Sequence, residues 1–326
     1  MVSVLVTGGA GYIGSHMTYA LLDHGERVIV LDNLSTGVRG LVAPDAEFVE
    51  GDVADQQLVR GILRERSVDA VIHFAGSIVV PESVSDPLKY YGNNTVASRA
   101  LIEACVAEKV RNFVFSSTAA VYGIPEVAVV VEETSKDPIN PYGRSKLMTE
   151  WMLQDTARAH DFRYIALRYF NVAGADPQGR TGQSTPRATH LIKRACQVAL
   201  GRESHLDIFG TDYPTPDGTG VRDYIHVSDL IGAHILALDA LRKESKPDVF
   251  NCGYGRGLSV REIITAVERA AGHKLAVKES PRRPGDPPML VANSTKLKHG
   301  LNWTPRYGDV DTIVHSALEW ERKFNA

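Results

Sequence analysis

Cysteine is scarce: three in 326 residues, Cys105, Cys196 and Cys252, and none falls in a Cys-x-x-Cys. One stays unpaired under any pairing, which argues against a disulfide framework or a structural zinc site and for a reducing cytoplasm. No sign of charge dominates either. Thirty-six Lys and Arg against 39 Asp and Glu leave −3, so a general polyanion binder is disfavoured and no nucleic-acid partner is expected. Long apolar runs are missing as well. No segment approaches the roughly 18 apolar residues of a membrane helix, so no membrane partner is expected. Residues 1–22 lack Asp, Glu, Lys and Arg altogether. An export signal would need a basic start and a continuous apolar region. Here the apolar run Val2–Val6 is broken by Thr7, four glycines, Ser15 and His16, which reads as a buried strand and a glycine turn.

What is present is patterned. The β-branched runs Val2–Val6, Arg27–Leu31, Glu47–Val49, Ala70–Phe74, Phe113–Ser116 and Tyr164–Leu167 alternate with helical stretches or turns. Near-continuous apolar strands separated by helices predict a parallel sheet covered on both faces, the doubly wound α/β class. After Asn171 the composition turns to Gly, Pro, Ser and Thr, and two more loops of this kind lie at 210–220 and 281–288. The length fits two domains. The expected division is a Rossmann domain over 1–171 and a smaller α/β substrate domain over 172–326, with about 221–250 returning to the first.

Two motifs carry chemistry. Gly8, Gly11 and Gly14 follow the first strand and open a helix, the arrangement that brings a pyrophosphate to helix N-terminal amides. Asp32 ends the second strand, placed to hold ribose hydroxyls and repel a 2′-phosphate, which favours NAD over NADP. Tyr142 and Lys146 stand at i and i+4 near a helix start, about 6 Å apart along the axis. A free tyrosine is only about 0.1% phenolate at pH 7. A cation at about 6 Å, at an effective dielectric near 20, is worth about 3 kcal/mol, or about two pKa units. That proximity makes a tyrosine acid/base physically reasonable, with a plain surface Tyr–Lys pair as the alternative.

Taken in order, Thr7–His16, Phe115–Gly123, Pro141–Met148, Arg168–Ala175 and Gly218–Val227 resemble the extended short-chain dehydrogenase/reductase family over essentially the whole chain. Within it they are most similar to the branch that epimerises C4 of UDP-hexoses. The resemblance implies Tyr142 as acid/base, Lys146 as its pKa-lowering and nicotinamide-ribose partner, and Thr118 as the group on the sugar hydroxyl. It gives Gly8, Gly11, Tyr12, Ile13, Gly14, Asp32, Asn33, Asp52, Val53, Phe74, Ala75, Gly76, Asn93, Ser116 and Tyr169 to a tightly held, recycled NAD, together with Tyr142 and Lys146. To the UDP-sugar it gives Asn171, His190, Leu191, Phe209, Arg222, Arg283, Asp286 and Leu290, with Thr118 and Tyr142. No metal is called for.

The implied reaction is transient oxidation at C4 and return of the hydride to the opposite face, interconverting UDP-glucose and UDP-galactose. UDP-N-acetylhexosamine or UDP-pentose pairs are the alternatives, with an inactive NAD-sensing regulator behind them. Relatives that dehydrate or decarboxylate place acids directly after the threonine; here stand Ala119 and Ala120. Ile78 replaces a lysine that many epimerases place beside the cofactor, and Leu290 is intermediate in size at a position that narrows the sugar pocket. A homodimer is implied too, with helices over Tyr90–Glu108 and Lys146–His160 as the candidate interface.

Overall fold

The computed structural model describes residues 2–185, 189–283 and 286–324, so parts of the loops at 172–188 and 281–288 lie outside it. The chain builds a seven-stranded parallel sheet, all but one of its strands from residues 1–171. In chain order its first strands are β1 (Ser3–Thr7), β2 (Arg27–Asp32), β3 (Glu47–Glu50), β4 (Val68–His73) and β5 (Asn112–Thr118). Arg163–Tyr169 and Asp248–Cys252 follow, and the spatial order is Asp248–Cys252, Arg163–Tyr169, β5, β4, β1, β2, β3. The order reverses between β1 and β4, which opens a crevice at their carboxyl ends where ligands of such sheets bind.

Alternation along β1 explains the layering. Val4 and Val6 face one side, packing with Met17 and Leu21 of the helix Tyr12–Asp23 and with Leu230 and Leu238 of the helix Val227–Arg242. Leu5 faces the other, among Val59, Ile62, Leu101 and Leu153. Side chains that alternate across a strand feed two cores, and both are filled with apolar residues. The sequence therefore produces a sheet with helices on each face, a Rossmann arrangement.

The helix expected over Tyr90–Glu108 is divided. Pro87–Tyr90 and Ala97–Ala107 are α-helical, while Tyr91–Val96 winds as a wider π-helix. Such widened turns favour functional positions. This one turns buried Asn94 inward, where its amide bridges the backbone of Ser77 and the Ser145 hydroxyl at 2.7–3.0 Å.

Beyond Phe170 the chain forms a second, mixed sheet. Val221–His226 pairs with Asn171–Ala173, Gly257–Ser259 and Met289–Ala292, and the last pairs with Val129–Val130. A third apolar cluster lies between the helices Leu191–Ala199, Val260–Ala271 and Val310–Phe324. The chain then re-enters the first sheet through Val227–Arg242 and Asp248–Cys252, the latter pairing with Arg163–Tyr169. No helix of the described residues is long and apolar enough to cross a membrane.

Candidate active site

The glycine turn after β1 is closed by backbone contacts. Gly8 has φ +71°, and a Cβ there would stand 2.6 Å from the Ala75 nitrogen. A Cβ on Gly14 would stand 2.2 Å from the Gly8 carbonyl. Gly11 caps the helix Tyr12–Asp23 without a side-chain hydrogen bond, which leaves its first amides available to an anion. Asp32 is buried beside the turn. Its carboxylate accepts from the Ala10 amide at 2.9 Å and the Leu34 amide at 2.8 Å. Burial raises its pKa, and the two amides oppose the rise. Asn33 donates to Asp52 at 3.0 Å, and Val53 is buried behind them. Phe74, Ala75 and Gly76 follow β4 across the crevice, and Asn93 donates to the Ser77 hydroxyl at 2.9 Å. This cradle fits a dinucleotide: glycines admit a close backbone approach, helix amides await a pyrophosphate, and a carboxylate stands where ribose hydroxyls belong.

Tyr142 is placed by the start of its helix, Pro141–Ala159. Asn140 accepts from the Gly143 amide at 2.8 Å, and Pro141 occupies the first turn, where no amide is needed. A Cβ at Gly143 would meet the Ala120 carbonyl at 2.6 Å, so the glycine lets the helix start against the turn that follows Thr118. Tyr142, Lys146 and Thr118 are all buried. The Thr118 hydroxyl also caps that turn, accepting from the Ala120 amide at 3.1 Å.

Electrostatically the site departs from the simple Tyr–Lys picture. The Lys146 ammonium donates to the Ser116 carbonyl at 3.0 Å and lies 4.9 Å over the Phe115 ring. Burial, opposed by Glu150, brings its pKa down to about 8. Burial also raises the Tyr142 pKa, against the pull of a hydrogen bond with Thr118. Desolvation thus leads for both groups, where helix spacing alone suggests a lowered tyrosine. Ser116 turns its hydroxyl to the Tyr169 oxygen at 2.7 Å.

Beneath this trio lies a charge network that motif reading missed. Glu150, one turn beyond Lys146, accepts from Ser117 at 2.5 Å and forms a paired ion bridge with Arg168 at 2.6–3.3 Å. Arg168 reaches on to the Tyr122 hydroxyl at 2.9 Å and the Glu132 carbonyl at 3.0 Å. The bridge ties the Tyr142 helix to β5 and to Arg163–Tyr169. An i,i+4 acid after Lys146 was the available signal, since such a residue shares its helical face.

The residues assigned to the sugar nucleotide fall into groups. Arg222 and Leu290 are register partners on adjacent strands, and Arg222 lies 3.6 Å from Asp286. Arg283 stacks over Phe209 with its guanidinium 3.8 Å from the ring centre. Asn171, His190 and Leu191 line one pocket together with Tyr12 and Tyr224. His190 opens the helix Leu191–Ala199, and its Nδ1 lies 3.2 Å from the Gln183 amide. Ile78 is half-exposed, and its apolar side chain offers the crevice no hydrogen-bonding group.

A glycine cradle at a switch point, facing a buried Tyr–Lys–Thr set, defines an extended short-chain dehydrogenase/reductase that uses NAD. A model of the NAD dependent epimerase/dehydratase family matches residues 4–253, and this chain belongs to that family. A UDP-glucose 4-epimerase of Azospirillum brasilense is 56% identical over 319 residues, covering 98% of this chain and 92% of that protein. The crystal structure of UDP-glucose 4-epimerase from Brucella ovis in complex with NAD superposes with a TM-score of 0.95, at 45% identity over 98% of each chain. The UDP-Glc/GlcNAc 4-epimerase of Campylobacter jejuni gives a TM-score of 0.86 at 46% identity, over 99% of this chain and all of that one.

Proposed function

We propose that this protein epimerises C4 of UDP-hexoses, interconverting UDP-glucose and UDP-galactose around a tightly held NAD. The observation that carries the reading is the buried Tyr142–Lys146–Thr118 set at the mouth of the glycine cradle, in a chain whose near full-length relatives bear that activity. Bound NAD would supply the hydride chemistry at C4, and this chain's residues would bind, orient and move the proton. Tyr142 takes the C4 hydroxyl proton and gives it back, assisted by the Thr118 hydroxyl. Lys146 stands on the Ser116 carbonyl, holding the ribose side and favouring the tyrosinate. Arg222 and Arg283 take the diphosphate, as paired guanidinium donors suit phosphate oxygens. Asp286, Phe209, Asn171, His190, Leu191 and Leu290 shape the nucleotide and sugar pocket. The cofactor residues are those of the cradle: Gly8, Gly11, Tyr12, Ile13, Gly14, Asp32, Asn33, Asp52, Val53, Phe74, Ala75, Gly76, Asn93, Ser116 and Tyr169. Ala119 and Ala120 carry no proton-transferring group beside Thr118, which favours epimerisation over dehydration.

We read two domains serving this chemistry, 1–171 for NAD and 172–326 for the sugar nucleotide, with about 221–250 returning to the first. We place the protein in a reducing cytoplasm, in keeping with three free, buried cysteines. It pairs with a second copy through the helices flanking the site. Leu88, Val96 and Trp151 support this, being 79%, 56% and 54% exposed on neighbouring helical segments. Light scattering that returns the mass of one chain would remove the dimer.

The deciding assay follows UDP-galactose turnover with no NAD added, beside the N-acetylhexosamine and pentose pairs. Wild type should turn over, and Tyr142→Phe should lose about 10²–10⁴-fold in kcat. A wild type that carries NAD but is inert on all three pairs would make it a regulator.

A further inference from the structure

Glu150 lies one turn beyond Lys146 on the helix Pro141–Ala159 and is buried. Its carboxylate accepts from the Ser117 hydroxyl at 2.5 Å and from the Arg168 guanidinium at 2.6–3.3 Å. Ser117 and Arg168 are register partners on adjacent strands, so one carboxylate grips two strands at the same height. Each grip sits beside working residues. Ser117 stands between Thr118 and Ser116, whose carbonyl takes the Lys146 ammonium. Arg168 precedes Tyr169, whose oxygen takes the Ser116 hydroxyl.

A buried ion pair is a poor source of stability. Desolvating two charges costs about what their attraction returns, and apolar chains of similar volume often serve as well. What a paired guanidinium–carboxylate bridge adds is direction, since it fixes the height and rotation of both partners. It also brings charge. Of the two bridged groups, Glu150 is the one that acts on Lys146, opposing the burial that lowers the ammonium. The titratable groups around Lys146 bring no further charge at pH 7 in the NAD-free protein. His73 on β4 is held neutral by burial, and burial keeps Tyr142 and Tyr169 protonated.

We propose that Glu150 is a positioning residue for the acid–base pair: clasped by Ser117 and Arg168, it fixes the Tyr142 helix on the strands that carry Ser116 and Thr118 and sets a counter-charge beside Lys146. The inference rests on the epimerase reading, and its test separates the two. UDP-galactose turnover and NAD content are measured first in wild type. A protein that carries NAD but is inert overturns that reading, and the Lys146 titration below still decides the role of Glu150.

Two variants follow. Glu150→Gln keeps an acceptor for Ser117 and removes the charge. Glu150→Met combined with Arg168→Met removes both charges and fills their space, so it should melt close to wild type. Both should keep NAD and a KM within about twofold of wild type, while kcat falls about 10–100-fold. The alkaline limb of the kcat profile should move to lower pH. In NAD-free protein labelled with [ε-¹³C]lysine, the Lys146 resonance is assigned by its absence from Lys146→Met. It should titrate at lower pH in both variants than in wild type, because loss of the counter-charge favours the neutral amine. Wild-type kcat in either variant overturns the proposal, and so does a Lys146 resonance that titrates where it does in wild type. A loss of NAD, KM and kcat in step with melting temperature marks a merely structural bridge and overturns it as well. Should Glu150→Gln not fold, with Arg168 buried and uncompensated, the double variant carries the test alone.

Discussion

The two sides of the crevice are built by different means. On the cofactor side, position is set by backbone: Gly8 against Ala75, Gly14 against the Gly8 carbonyl, and Asp32 between two amides. Its charged groups are buried and paired, as Glu150 and Arg168 are at 5% side-chain exposure each. On the side proposed for the sugar nucleotide, position is set by long side chains, Arg222 from a strand and Asp286 and Arg283 from a loop. Arg222 and Asp286 meet at 3.6 Å with the aspartate 43% exposed, and Arg283 rests on a ring. A backbone cradle cannot adjust, which suits a group that stays bound through every cycle. Long charged side chains can swing, which suits a substrate that must enter, turn and leave. The difference implies that equal insults to the two sides have unequal effects.

The largest effect is expected from Gly14→Ala. The new methyl would lie 2.2 Å from the Gly8 carbonyl oxygen and 2.8 Å from the Gly9 Cα, all backbone, with no side chain free to move aside. The turn must open, and the helix amides then lose their aim. Purified Gly14→Ala should carry no NAD by absorbance after denaturation and should melt well below wild type. Full NAD occupancy in this variant would break the idea of a rigid cradle.

The same division explains what could be read from sequence. Six strands of the large sheet were legible because β-branched runs near the chain start pair with their neighbours in simple order. The seventh, Asp248–Cys252, was not, since it returns after nearly eighty residues spent elsewhere and pairs with Arg163–Tyr169 only through tertiary contact. Glycine spacing signalled the cradle because backbone geometry restricts residue type. The residues proposed for the sugar rest on family resemblance alone, as a single arginine looks like any other surface charge. Helical spacing put Tyr142 and Lys146 on one face, yet it could not reveal that the amine would take the Ser116 carbonyl or that burial would dominate both groups. Nor does any residue pattern announce the π-turn that aims Asn94 inward.

Acid should also strike the rigid side first. His16, His73 and His234 are buried neutral in its packing, and His226 lies where the second sheet joins it. Burial lowers His16 and His234 to about 4 and His73 and His226 to about 3. Their folded pKa values lie below the ordinary 6.5, so as pH falls through 6.5 the unfolded chain takes up protons that the folded chain refuses. Stability is therefore present above 6.5 and is lost as pH drops toward 4. Each group contributes about 1 kcal/mol of loss between pH 7 and 5.5, several kcal/mol together. Urea titrations at pH 7, 6 and 5.5 should show the midpoint falling, with NAD release on the same transition. A flat midpoint across that range would mean that these rings are hydrated in solution.

The smallest effect is the one that tests the contrast most directly, because it repeats the first substitution on the other side. Gly210 has φ +81°, and a Cβ there would meet Tyr213 Cε2 at 2.5 Å and Arg282 Cγ at 2.7 Å. Both obstacles are side chains of loop residues, and Arg282 is 43% exposed, held to Asp212 at its far end. Tyr213 is buried, so its ring must turn and Arg282 must shift with it, but neither obstacle is backbone as the Gly8 carbonyl is. What remains is the left-handed backbone, which costs an alanine about 1–2 kcal/mol. Gly210→Ala should therefore fold, keep its NAD in full and lose only a few degrees in Tm, its change in turnover confined to a higher KM for the UDP-sugar. Loss of NAD from this variant would mean that the two sides are mechanically one piece, and the distinction between a fixed cradle and an adjustable clamp would fall.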